Sequence, residues 1–187
     1  ISYNQNNQCA NIIPGQEDVT LVKSRIVKNP IHISKIIEIE GKKVGYLMYN
    51  QFVGVVELEG KDYNSELNNV FSNFLSNGIN DLIVDLRYNP GGGSTTQLLL
   101  ASLITGQFNG EVYSERVFNS KVTTAYSDTD FKTRFFNTYD DQVFQSLNLT
   151  KLYVLTTGST ASASEGLINN LSPYIEVIQI GDVTVGK

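Results

Sequence analysis

The segment 81–94 is Asp-Leu-Ile-Val-Asp-Leu-Arg-Tyr-Asn-Pro-Gly-Gly-Gly-Ser, and it constrains the fold more than any other part of the chain. Residues 81–86 form a short apolar run, which is typical of a buried strand. Three glycines follow Pro90, and a helix is predicted to begin just after them. The segment therefore predicts a strand, a tight turn and a helix in direct succession, which is half of a βαβ unit.

The flanking sequence repeats this alternation of strands and helices. Strands are predicted at Ile33–Glu40, Lys43–Gln51, Glu111–Val117, Leu152–Leu155 and Ile175–Ile180, and helices at 67–75, 94–104 and 162–171. Ser94 and Gln97 have the spacing of a capping box at the start of the second helix. Residues 119–147 show only weak periodicity, and no fold is predicted for them. The alternation predicts an α/β fold, a parallel-rich sheet with flanking helices.

The first 31 residues differ in pattern from the rest of the chain. They begin polar, become strand-like at Val19–Val27, and are interrupted at Asn29-Pro30. We interpret residues 1–31 as the tail of a truncated upstream region with a linker. Residues 32–187 then form the main domain, which we expect to be truncated at its C-terminal end.

Composition excludes several classes of function. The net charge is −5 and no basic cluster occurs, which argues against a nucleic-acid partner. No apolar run approaches the ~20 residues of a membrane-spanning helix. The single cysteine, Cys9, can form no intrachain disulfide, and we expect it in a loop. A dyad of Cys9 with His32 is disfavoured because neither has a recognisable nucleophile context. No metal or cofactor is predicted.

The glycine turn at 91–93 has two interpretations. Glycines let the backbone approach a ligand closely, and exposed N–H groups there can bind a phosphate or a transient oxyanion. The phosphate interpretation is weak, because neither G-x-x-x-x-G-K-[ST] nor G-x-G-x-x-G is present. The simpler interpretation is a tight turn before a capped helix.

Ser162 and Lys187, 25 positions apart, are the candidate catalytic pair. Ser162-x-x-Glu165 is itself a capping box, so Ser162 could simply cap its helix. The same position suits a nucleophile, since the positive end of the helix dipole favours developing negative charge and the N–H of Ala163 can donate to an oxyanion. Lys187 would have to lose a proton to act as a base, and the apolar strand before it makes burial plausible.

Three segments together resemble the C-terminal processing peptidases, also called tail-specific proteases. They are Asp-Leu-Arg-Tyr-Asn-Pro-Gly-Gly (85–92), Thr-Ala-Ser-Ala-Ser-Glu (160–165) and Gly-Lys (186–187). The matching region is about 40–187, and the motif at 171–174 is similar to that of Bacteroidetes-type cell-envelope members. Two departures accompany the match. Some members have an acidic residue where this chain has Pro173, and some have a polar residue shortly after the lysine.

The resemblance implies a crotonase/ClpP-like protease core and an upstream PDZ domain that captures substrate C-termini. It implies a serine endopeptidase with Ser162 as nucleophile and Lys187 as general base. Ala163 and one of Gly91 and Gly92 would supply the oxyanion hole. The implied partners are polypeptide substrates, and the implied location is the cell envelope, either periplasmic or lipid-anchored. A non-catalytic peptide-binding relative of the same fold is the alternative, and a phosphate or nucleotide binder is a weaker one.

Overall fold

Strands and helices alternate through most of the described chain. The computed structural model describes residues 28–126 and 130–187, together with the backbone of two short strands near the N-terminus. The strands are β1 (Ser2–Tyr3), β2 (Cys9–Ala10), β3 (Ile31–Ile39), β4 (Lys42–Tyr49), β5 (Val55–Val56), β6 (Lys61–Asp62), β7 (Asp81–Asp85), β8 (Val112–Glu115), β9 (Lys132–Arg134), β10 (Thr138–Tyr139), β11 (Gln142–Val143), β12 (Lys151–Thr156) and β13 (Glu176–Gly181). The α-helices are α1 (Tyr63–Ser76), α2 (Ser94–Ile104), α3 (Ser120–Ala125) and α4 (Ala163–Leu171).

Five of these strands form the central sheet, in the order β13-β12-β7-β4-β3. The pairs β4–β7, β7–β12 and β12–β13 are parallel, and the edge strand β3 is antiparallel to β4. The connections between parallel neighbours pass through α1, α2 and α4, as βαβ topology requires. The sheet confirms the predicted α/β fold with mainly parallel pairing.

The hairpin between β3 and β4 turns at Glu40 and Gly41. Both residues have positive φ, 51° and 77°. Two consecutive positive φ angles are characteristic of the type I′ turns that suit the right-handed twist of a hairpin. The hairpin predicted around Glu-Gly-Lys is therefore confirmed.

The largest part of the core lies between the sheet and its helices. Strand β7 is central, and Leu82 and Val84 are fully buried. Helix α2 is apolar nearly all round and is buried from Thr96 to Ile104, because it packs against both α1 and α4. The chemistry of the first and last turns of α2 and α4 is therefore held by a fully packed layer.

The structure changes three expectations about individual residues. Ser94 is the first residue of α2, the N-cap is Gly93, and no side chain caps the helix, so the capping box of Ser94 and Gln97 was wrong. Gln97 is instead buried. Cys9 lies in β2, paired with Tyr3, rather than in a loop.

Two expectations concern segments with little or no description. The predicted strand Val19–Val27 lies outside the described residues. The segment 119–147, for which no fold was predicted, contains α3 and the short strands β9, β10 and β11. Strand β9 pairs with β8 to form a two-stranded ribbon beside α2 and α4. In the described part of the chain, no helix is long and apolar enough to span a membrane.

Replacing Leu82 with alanine is expected to destabilise the fold by about 2–5 kcal/mol, because it leaves a cavity in the central strand between β4 and β12. Val117→Ala, at a side chain that is 90% exposed, is the matched control and should cost less than about 0.5 kcal/mol. Urea unfolding measures both. Equal effects of the two substitutions would contradict the packing described here.

Candidate active site

Two loops meet at the carboxyl ends of the neighbouring parallel strands β7 and β12. The buried Thr160 hydroxyl donates to the Leu86 carbonyl at 2.8 Å, and the Thr157 hydroxyl donates to the carbonyl of Arg87. The turn that carries Ser162 is therefore attached to the end of the strand that leads to the glycine turn. This edge of a parallel sheet is where α/β proteins place ligand sites.

Asn89 connects these two loops and is fully buried. Its side chain accepts from Gly91 N–H at 2.8 Å and donates to the carbonyl of Tyr49 at 2.8 Å. Its own carbonyl accepts from Ala161 N–H at 3.1 Å and from the Ser164 hydroxyl at 3.0 Å. Asn89 thus sets the glycine turn and both flanks of Ser162 in one network. Sequence reasoning assigned Asn89 no role of its own, although an Asn two residues before a Gly is a known turn signal.

The glycines at 91 and 92 are required by close contacts. A Cβ on Gly91 would lie 2.7 Å from the Cβ of Ser162 and 2.9 Å from the N of Ala163. A Cβ on Gly92 would lie 2.2 Å from the carbonyl oxygen of Phe52, which is bound to Gly93 N–H at 2.8 Å. Both glycines also have positive φ, 106° and 140°. The glycine turn is therefore packed directly against Ser162, and this contact requires residues without a side chain.

The glycine turn leaves few free N–H groups. Gly91 N–H is bound by Asn89 and Gly93 N–H by Phe52, whereas the N–H groups of Gly92 and Ala163 make no hydrogen bond to any described residue. A phosphate cradle uses several free N–H groups from one loop. The arrangement therefore disfavours phosphate binding and leaves one free donor on each side of Ser162.

Ser162 has an unusual backbone conformation at the N-terminus of α4. Its φ and ψ are 57° and −115°, a region that is dominated by glycine and costs other residues about 1–3 kcal/mol. Its residue is exposed, whereas Ala161 and Ala163 on either side are buried. Such strain is kept only where the surroundings over-determine it, and here it turns an exposed hydroxyl-bearing residue over the glycine turn.

Glu165 joins the Ser162 turn to the last residues of the chain. Its carboxylate accepts from Ser162 N–H at 2.6 Å, from Gly186 N–H at 2.5 Å and from Lys187 N–H at 3.2 Å. The preceding residue, Val185, donates from its N–H to the carbonyl of Thr160 at 3.0 Å. Sequence reasoning gave Glu165 a capping role, and the bond to Ser162 N–H confirms it. The structure adds that the same carboxylate holds Gly186 and Lys187.

The hydrogen bonds to Glu165 affect its titration. Partial burial raises the pKa of the carboxyl, but the Thr184 hydroxyl and the N–H groups of Gly186, Ser162 and Lys187 bind the ionised form. Together they lower the pKa from 4.5 to about 2. Glu165 is therefore a carboxylate at any physiological pH, and it fixes negative charge between Ser162 and Lys187.

Ser162 and Lys187 line one open pocket. We call it the Ser162 pocket; its lining residues are Ser162, Glu165, Gly166, Asn169, Gly186 and Lys187. Two residues that are 25 positions apart are thereby brought to the same surface depression. Lys187 is exposed in this structure, so the burial considered plausible from the apolar strand before it is not observed. Gly91, Gly92 and Ala163 lie on the other side of Ser162.

Asp85 and Arg87 form the predicted structural pair rather than part of the pocket. Arg87 binds the buried Asp85 carboxylate at 2.7 Å, and the Tyr46 hydroxyl donates to the same carboxylate at 2.6 Å. Burial raises the pKa of Asp85, but the bonds from Arg87 and Tyr46 outweigh it and lower the pKa overall. The pair secures the end of β7 just before the glycine turn.

Comparison with known proteins identifies the family of the chain. The sequence model of peptidase family S41 matches residues 43–187. The chain belongs to peptidase family S41. A carboxyl-terminal-processing protease from Picosynechococcus sp. is 30% identical to it over 169 residues, which are 90% of this chain and 35% of the relative.

Solved structures agree with this assignment. A protein of Bacteroides fragilis NCTC 9343 that is assigned to the S41 proteases is 34% identical, with a TM-score of 0.77 over 88% of this chain and 41% of that one. The photosystem II D1 C-terminal processing protease shares the fold, with 19% identity and a TM-score of 0.58 over 86% of this chain and 38% of that one. The S41 chain thus spans less than half the length of these relatives. The resemblance drawn from the three sequence motifs is confirmed at the level of the family.

Gly92→Ala is expected to destabilise the S41 chain by at least about 1–3 kcal/mol, because the new Cβ meets the Phe52 carbonyl in a backbone conformation that alanine rarely adopts. Gly93→Ala is the matched control. Gly93 has a φ of −71° and its nearest neighbour would be 3.5 Å away, so the change should be nearly neutral. Urea unfolding of the two variants measures the difference, and similar stabilities would refute the role given to Gly92.

Glu165→Gln is expected to lower stability at neutral pH and to have little effect in strong acid. Because the folded-state pKa of Glu165 is below its ordinary value, the carboxylate stabilises the folded state above about pH 4.5, and this contribution is lost as the pH falls toward about 2. The measurement is the stability difference between wild type and variant from pH 7 to pH 2. Glu59→Gln, at an exposed turn, is the control. A Glu165 difference that does not shrink in acid would contradict this account.

Proposed function

We propose that this S41 chain is the protease core of a serine endopeptidase in which Ser162 is the nucleophile and Lys187 the general base. The observation that carries the proposal is the Glu165 carboxylate, which binds the N–H groups of both Ser162 and Lys187. Family membership, the exposed and strained Ser162 and the free N–H groups beside it support the same chemistry. The chain offers His32 as its one histidine, and it lies on the distant edge strand β3.

In the first step, the Ser162 Oγ attacks the carbonyl carbon of a substrate peptide bond while its proton passes to the neutral amine of Lys187. The carbonyl π electrons move to oxygen and form a tetrahedral oxyanion. Lys187 then donates the proton to the leaving amide nitrogen, the C–N bond breaks, and an acyl-enzyme remains on Ser162. The helix dipole of α4 favours the negative charge that develops near its N-terminus.

The oxyanion would accept hydrogen bonds from the N–H groups of Ala163 and Gly92. Sequence reasoning left Gly91 and Gly92 as alternatives for the second donor. Gly91 N–H is already bound to the Asn89 side chain, whereas Gly92 N–H has no partner among the described residues. We therefore assign the second donor to Gly92 and give Gly91 the role of close packing against Ser162. Two such donors typically contribute several kcal/mol to acyl transfer.

In the second half of the reaction, Lys187 takes a proton from water, and the resulting hydroxide attacks the acyl carbon. Collapse of the second tetrahedral intermediate breaks the ester bond, and Ser162 regains its proton from Lys187. Every proton and electron pair is accounted for by serine, lysine and water. No metal or cofactor enters the scheme.

A non-catalytic peptide-binding relative is the second candidate. Burial favours the neutral form of a lysine, and Lys187 is exposed in this structure. A protein with the same pocket and no working base would bind polypeptides without cleaving them. The two candidates differ in whether Ser162 becomes acylated.

The substrates we propose are polypeptides, captured through their C-terminal tails, and the location we propose is the cell envelope. The relative from Picosynechococcus is named as a carboxyl-terminal-processing protease, which supports the first part. The location rests on the sequence resemblance to periplasmic or lipid-anchored members. Fractionation of cells that express the full-length protein tests it, and recovery from the cytoplasm alone would contradict it.

Ser162→Ala and Lys187→Ala are each expected to lower kcat for peptide cleavage by at least about 1,000-fold in the full-length protein, because each removes a group needed in the same step. Lys151→Ala is the matched control. Lys151 is a surface lysine paired with Glu176 on the outer strands, and its loss should leave kcat within about twofold. Undiminished cleavage by Ser162→Ala would refute the proposed mechanism.

A further inference from the structure

A second pocket lies beside the first turn of α2. We call it the α2 pocket; its lining residues are Ser94, Thr95, Gln97, Leu98, Tyr113, Ser114, Arg116 and Thr133. One wall is helix α2 and the other is the β8–β9 ribbon. Leu98 and Tyr113 are nearly fully buried and supply its apolar surface. The other lining residues carry hydroxyl, amide or guanidinium groups.

Hydrogen-bond donors dominate this pocket, and its one charged lining residue is cationic. Arg116 is exposed and forms no ion pair with residues 28–126 or 130–187. Its backbone N–H binds the Phe131 carbonyl at 3.2 Å, which continues the ribbon pairing and keeps Arg116 on the same face as Ser114. Ser114 is paired directly with Thr133 across the ribbon. In a chain of net charge −5, this local excess of positive charge and donors favours an anionic ligand.

Gln97 is the observation that marks the pocket as a binding site. The residue is 6% exposed, yet its side-chain amide makes no hydrogen bond to any described residue. Buried amides are normally satisfied, so an unpaired one that lines a pocket indicates a missing ligand or water. The first turn of α2 adds N–H groups that lack partners within the helix. Together they give the pocket donors on its helical wall and a guanidinium on its ribbon wall.

The α2 pocket adjoins the Ser162 pocket through a single contact. A Cβ on Gly166 would lie 2.3 Å from the Gln97 Nε2, so Gln97 packs against the backbone of Gly166, and Gly166 lines the Ser162 pocket. From the other side, Ser94 is two residues beyond Gly92, a span of at most ~7 Å. An extended peptide advances ~3.3 Å per residue. A substrate residue within two or three positions of the scissile bond can therefore reach the α2 pocket.

We propose that the α2 pocket is a substrate subsite that binds a carboxylate of the polypeptide. This proposal rests on the proposed peptidase function, because the polypeptide is the expected occupant of the neighbouring Ser162 pocket. The planar guanidinium of Arg116 suits bidentate binding of a carboxylate, and Gln97, Ser94 and Thr95 can donate to its remaining lone pairs. Two sources have this chemistry, an acidic side chain near the scissile bond and the C-terminal carboxylate of the peptide.

The test uses the full-length protein with Ser162→Ala, which allows binding to be measured without turnover. The probes are fluorescein-labelled decapeptides of alanine and serine in which one glutamate is moved through every position. Each has a glutamine twin, and each is made with a free C-terminal carboxylate and with a C-terminal amide. Fluorescence polarisation gives the Kd. Glutamate is expected to bind about tenfold more tightly than glutamine at one position, or the free acid more tightly than the amide, and the pattern identifies the source.

Variants of Arg116 assign that preference to the α2 pocket. Arg116→Gln should reduce the carboxylate preference to within about twofold, and Arg116→Glu should reverse it in favour of lysine peptides. Arg134→Gln is the matched control. Arg134 lies on the same ribbon but outside the pocket, where it pairs with Asp130 and binds the Gly110 carbonyl, so the preference should persist. A preference that survives Arg116→Gln, or the absence of any preference at every position, overturns the proposal.

Cleavage of the same peptides by the protein with Ser162 intact separates this proposal from the proposed function. Binding with the Arg116-dependent preference but no cleavage would contradict the peptidase and leave the subsite. Cleavage without any carboxylate preference would do the reverse.

Discussion

The structure around the candidate site depends on the buried side chain of Asn89. Parallel strands β7 and β12 bring two loops to the same edge of the sheet, but pairing of the strands alone does not fix the loops against each other. Asn89 does so with four hydrogen bonds, to Gly91, Tyr49, Ala161 and Ser164. Because the residue is fully buried, loss of any partner would leave a polar group unsatisfied, at a cost of about 1–3 kcal/mol. The network is therefore satisfied in full or the loops must move together.

A second constraint follows from the first. With both flanks of its turn held, Ser162 adopts a backbone conformation that serine rarely takes, and Gly91 must lack a side chain to let it approach. The Glu165 carboxylate then uses the same turn to hold Gly186 and Lys187. Strain at Ser162, close packing at Gly91 and the position of Lys187 are consequences of one arrangement, and this is why three motifs far apart in sequence form one surface.

Much of this arrangement could be predicted from the sequence, because local patterns determine most of its elements. The apolar run at 81–86, the helical spacing at 67–75 and the Glu-Gly turn at 40–41 each have a local physical cause, and the structure contains all three elements. Long-range contacts have no such signature. The partners of Asn89, the free N–H of Gly92 and the unpaired amide of Gln97 depend on which loops the sheet brings together. The capping box of Ser94 and Gln97 was wrong for this reason, since burial against α4 takes Gln97 away from the helix end.

The central claim is that Ser162 is an activated nucleophile beside two free N–H donors. The most direct measurement is labelling of the full-length protein with a fluorophosphonate, followed by peptide mapping of the modified residue, with Ser164→Ala and Ser162→Ala labelled in parallel. The account predicts modification at Ser162, its loss in Ser162→Ala, and slower labelling in Ser164→Ala because one bond to Asn89 is removed. Absence of labelling at Ser162, while a known serine hydrolase is modified under the same conditions, would contradict it.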